Sequence, residues 1–139
     1  MNHEELDDET FIARFEDCTL SPSAFHHRDH VRLAWLYLRR VPLLAALTRF
    51  TEGLQRFARA NGADGLYHET ITWAYLFLVH QRIATAPEAG ESWEEFAARN
   101  PDLMTWKPSI LAGYYREETL SSDLARRVFL LPDRQSRNA

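Results

Sequence analysis

Apolar residues recur along this chain at helical spacing almost from end to end. Phe11, Ile12 and Phe15 form a stripe that predicts a helix over Asp8–Asp17. Pro22 and its flanking serines then supply a turn, and a second helix starts at Phe25 or His27 and runs to Arg40. Its positions Val31 and Leu33–Leu38 are apolar on nearly every side, the pattern of a buried helix. Pro42 fits the first turn of a third helix, Pro42–Ala60, whose leucines and phenylalanines keep the 3.6 period until Asn61–Gly62 stops it. A fourth helix is expected over Tyr67–Ala84, and its centre, Trp73–Val79, is apolar all round. Ser92 and Glu95 form a capping box ahead of a fifth helix, Trp93–Arg99. Residues 102–120 have no clear period, although Pro108 is placed to start a short helix through Gly113. A last helix is expected over Ser122–Leu130. No segment alternates with period two, so the expected fold is a single all-α domain over 1–139: a compact bundle of five to seven helices, with 1–8 and 133–139 as solvated tails.

Composition narrows the class. With 139 residues, 45% hydrophobic and 26% charged, the chain is long enough to fold without disulfide or metal support. A single cysteine, Cys18, excludes an internal disulfide and any multi-cysteine metal site. The longest apolar run, Trp73–Val79, is far short of the ~20 residues that span a bilayer. The acidic start is unlike a secretory signal, and a cytoplasmic protein without membrane contact is expected. Its net charge of −4, with basic residues scattered, argues against a nucleic-acid partner. The abundance of aromatic residues leaves a homodimer open as an expectation.

The residues that carry chemistry are histidines. Three fall within Phe25-His26-His27-Arg28-Asp29-His30. On a helix His26 and His30, four apart, share a face, the spacing by which two imidazoles can hold one metal. His68 stands beside Glu69 at the start of the fourth helix. Short connections predict an up-down-up path for helices two to four, which brings both histidine blocks to one end of the bundle. The expected site is therefore His26, His30, His68 and Glu69. As metal ligands they suit Zn, Fe, Ni or Cu. Without metal, His30 and Glu69 are the candidate catalytic pair, an imidazole base oriented by a carboxylate. His27 is expected to point away, His80 to lie about three turns too far along its helix, and His3 to belong to the acidic tail.

Other motifs are absent: no Glu-x-x-His of di-iron bundles, no His-Glu-x-x-His, no phosphate loop and no nucleophile elbow. The block Phe25–Trp35 and the block Leu66–Thr72, followed by Trp93-x-x-Phe96 and Asn100-Pro101, resemble a family of small bacterial all-helical proteins of unknown function. The resemblance extends over nearly the whole chain. It implies that the two histidine blocks belong to one pattern, and it implies no reaction. Two readings stay open at this level. One is a metal-binding protein or small enzyme centred on the histidines and acting on a small molecule. The other is a ligand- or partner-binding helical module in which the histidines are structural.

Overall fold

A computed structural model of the chain describes residues 3–134. Among these residues the ordered elements are eight α-helices, four short 3-10 turns and no strand. Helix α1, Asp8–Glu16, starts on Asp7, whose carboxylate accepts the Thr10 N–H at 2.8 Å. Helix α2, His27–Arg40, begins one residue after His26, and the Asp29 carboxylate reaches back to accept the His26 N–H at 2.9 Å. Helix α3, Leu43–Ala60, follows Pro42 and is stopped at Gly62, which takes φ 65°. Helix α4 runs Glu69–Ala84 and α5 Trp93–Arg99, the latter opened by the Ser92–Glu95 capping box. Three short helices complete the set: α6 Pro101–Met104, α7 Glu117–Leu120 and α8 Asp123–Arg127.

Helices α2 and α4 form the centre, as their all-round apolar sequences require. Helix α2 is buried without interruption from Val31 to Tyr37 and packs against both α3 and α4. Helix α4 also touches α3 on one side and α8 on another, while α1 lies on α3. That contact is close. Gly53 of α3 faces the Phe15 ring, and a Cβ there would stand 2.5 Å from Phe15 Cε2. The outer side of α4 is less buried than its sequence implies: Trp73 and Phe77 are half-buried, roofed by Phe129, whose ring stacks on Trp73 with centroids 5.0 Å apart.

Both ends of the described chain depart from expectation. Residues 3–8, expected as part of a solvated tail, are fastened to α2. Arg32, 5% exposed, donates to the carbonyls of His3 at 3.1 Å and Leu6 at 2.9 Å and pairs with Asp8 at 2.9 Å. His3 itself is buried between Phe11 and Phe25. The last helix ends at Arg127 instead of Leu130, because Val128–Leu130 are drawn out across α4. Thr70 Oγ1, fully buried there, donates to the Val128 carbonyl at 2.8 Å and accepts the Leu130 N–H at 3.1 Å. Of the expected tail 133–139, Asp133 accepts hydrogen bonds from Arg116 N–H and the Thr119 hydroxyl; residues 135–139 lie outside the described residues. Among the described residues no helix is long and apolar enough to cross a membrane.

Candidate binding cavity

The end of the bundle where α2 and α4 begin holds a cavity of about 610 Å³, within the size range of small-molecule sites. Four stretches of chain build it. Phe25, His27, His30 and Val31 come from the start of α2; Phe50, Leu54 and Phe57 from the inner face of α3; Tyr67, His68, Ile71, Thr72 and Tyr75 from the start of α4. Exposed residues frame the mouth: Pro22, Asn61, Leu66, Trp106 and Arg126. The wall is mostly aromatic and aliphatic, because the buried stripes of α2, α3 and α4 all face it.

Three imidazoles interrupt that wall, and each has a defined hydrogen-bond state. His30 Nδ1 lies 3.2 Å from the His26 carbonyl. A carbonyl only accepts, so Nδ1 carries the proton and Nε2 is a bare lone pair. Among the described residues, Nε2 has no hydrogen-bond partner. The His30 ring rests against Phe25 at 4.4 Å, and its burial holds the pKa down at about 4. His27 donates Nε2–H to the Leu103 carbonyl at 2.9 Å, edge-on to Tyr75 and near Trp106. Burial lowers its pKa too, against the opposing pull of that carbonyl. His68 uses both nitrogens. Nδ1 accepts the Ile71 N–H at 3.1 Å, which caps α4, and Nε2–H therefore donates to the Leu120 carbonyl at 2.7 Å. Burial again lowers the pKa, with Leu120 opposing and the nearby Arg126 charge reinforcing. Burial thus favours the neutral imidazole at all three positions.

The residues singled out from sequence divide accordingly. His30 and His68 do share one cavity, which the parallel placement of α2 and α4 anticipated. His26 is outside it: it is the exposed residue before the first turn of α2, so its spacing to His30 is not a helical i, i+4 pair. Glu69 is absent from the wall, and its Oε1 accepts the Tyr67 hydroxyl at 2.6 Å. No hydrogen bond joins His30 to Glu69 or to any other carboxylate among the described residues, so the base–carboxylate pair expected from sequence is not assembled. No three of His, Cys, Asp and Glu are grouped there to hold a metal ion, again among the described residues. The residue missed was His27. It is the first residue of α2, and its three-residue spacing to His30 carried the signal once the helix start was placed correctly. Trp106, from the stretch without a clear period, is also part of the mouth.

Comparison of the chain with family models, with curated proteins and with solved structures yields no match.

Proposed function

We propose that this protein binds a small, mainly apolar molecule in the cavity at the α2–α4 end. The observation that carries this reading is an aromatic-walled space of about 610 Å³ whose wall includes imidazole nitrogens without a partner among the described residues, His30 Nε2 foremost. Binding is favoured over acid–base catalysis by the same imidazole. A base works best with a pKa near the working pH, whereas His30, at about 4, is a weak base at neutral pH. It also has a backbone carbonyl where an acid–base dyad has a carboxylate. The free thiol of Cys18 supports a cytoplasmic setting for such a binder.

Thermal unfolding with the probes toluene and p-cresol tests the reading. A molecule that binds only the folded chain raises Tm by mass action. We expect a rise with at least one probe, and none in Ala58→Trp, because Ala58 of α3 also lines the cavity and an indole there would fill it. No rise with either probe defeats the proposal.

A metal reading of the same wall has one observation in its favour: His27 Nδ1 is also without a hydrogen-bond partner among the described residues, so two imidazole nitrogens are available. It asks for further ligands, since His68 has both nitrogens engaged. Elemental analysis of protein purified without an affinity tag decides. One Zn, Fe, Ni or Cu per chain, lost in His30→Ala, is the outcome that supports it.

A further inference from the structure

Binding of a small molecule leaves its chemical class open, and the hydrogen-bond economy of the wall narrows it. This inference rests on the binding reading above. Five polar side chains on the wall have committed their own hydrogens. His27 and His30 donate to the carbonyls of Leu103 and His26. His68 donates to Leu120, Thr72 Oγ1 to the His68 carbonyl at 2.7 Å, and Tyr67 to Glu69. The Tyr75 hydroxyl is paired with Ser109 Oγ at 2.7 Å. Beside that pair, in which either oxygen can donate, what remains open is acceptor: the lone pairs of His30 Nε2 and His27 Nδ1. Side chains with spare N–H groups, Arg126, Asn61 and Trp106, are exposed at the mouth.

The geometry points to a ligand that enters as a hydrogen-bond donor: a neutral aromatic or cyclic molecule carrying a hydroxyl or N–H group, which it gives to His30 Nε2. An apolar molecule would leave that lone pair dry and unpaired. A ligand with acceptors alone would set one lone pair against another. A carboxylate in the sheltered part of the cavity would find at most one neutral hydroxyl there, that of the Tyr75–Ser109 pair, and a buried charge without a compensating partner is strongly disfavoured.

Three probes of one shape separate these cases by calorimetric titration: toluene, p-cresol and 4-methylanisole. The last carries the same oxygen as p-cresol with its hydrogen replaced by methyl. A purely apolar cavity prefers toluene to p-cresol, because the phenol must shed its water for nothing. Here the expected order is p-cresol first. One recovered neutral hydrogen bond corresponds to an advantage of up to about tenfold over 4-methylanisole. In His30→Leu, with His30→Met as the second variant should leucine impair folding, that advantage should vanish and toluene should lead. Toluene binding as well as p-cresol in the wild type overturns the donor assignment while leaving the binding reading intact. A p-cresol preference that survives in the His30 variant overturns the choice of His30 as acceptor. Failure of all three probes overturns the inference together with the reading beneath it.

Discussion

His30 links protonation to stability. An imidazole in the unfolded chain titrates near ~6.5, and in the folded chain His30 titrates at about 4. Protons therefore bind the unfolded chain more readily between these values. The stabilisation is complete above pH ~6.5 and is lost as pH falls towards 4. The full difference is on the order of 3 kcal/mol for this one group. Urea unfolding at pH 7.5 and pH 4.5 should show a smaller acid-induced loss in His30→Gln than in the wild type. Equal losses in the two proteins would mean that His30 is solvated. The same residue marks what the sequence could and could not disclose. His30 and His68 were legible as partners because both begin long apolar helices that must lie side by side. His26 was not distinguishable from His27 by pattern. A shift of one residue in the helix start exchanges a cap that faces solvent for a ring that faces the cavity, and periodicity does not resolve one residue at a helix end.

The long helices were readable because each carries its own period and its own punctuation. Pro42, Asn61–Gly62 and the Ser92–Glu95 box set boundaries that the structure reproduces within a residue or two. Residues 102–120 were not readable, and the last helix only at its start, for an opposite reason. Helices of four or five residues bury too little to impose a period, and α7 and the segment 128–130 are positioned by hydrogen bonds to His68 and Thr70, over fifty residues away in sequence. His3 was misjudged likewise, since the groups that fix it, Arg32 on its carbonyl and the Phe11 and Phe25 rings on its imidazole, are distant in sequence. One substitution isolates tertiary packing from helix propensity. Alanine in place of a helical glycine ordinarily stabilises by roughly 0.5–1 kcal/mol. At Gly53 its Cβ meets an aromatic ring, so Gly53→Ala should destabilise, by about 1–3 kcal/mol as in overpacked cores. A gain in stability would show that α1 is free to move off α3.

Across the whole molecule, α4 carries the C-terminal third. His68 holds the end of α7, Thr70 holds 128–130, and Trp73 stacks on Phe129. Thr70→Val keeps the shape but removes the hydroxyl, leaving the Val128 carbonyl and the Leu130 N–H without it. We expect a loss of about 1–3 kcal/mol in chemical unfolding. Hydrogen exchange at the Leu130 amide should quicken well beyond that at α2. Unchanged exchange there would assign the 128–130 segment another anchor.

The cavity wall draws on residues from Phe25 in the first quarter of the chain to Tyr75, and its mouth is completed by Trp106 and Arg126. A chain still emerging from the ribosome has no such chamber. Its floor exists only after α2, α3 and α4 have met, and its entrance only after α8 has been made. On the proposed reading, occupancy would thus be a property of finished molecules: a bound guest would hold together segments that synthesis delivers far apart in time, and its protection would extend to the fold as a unit.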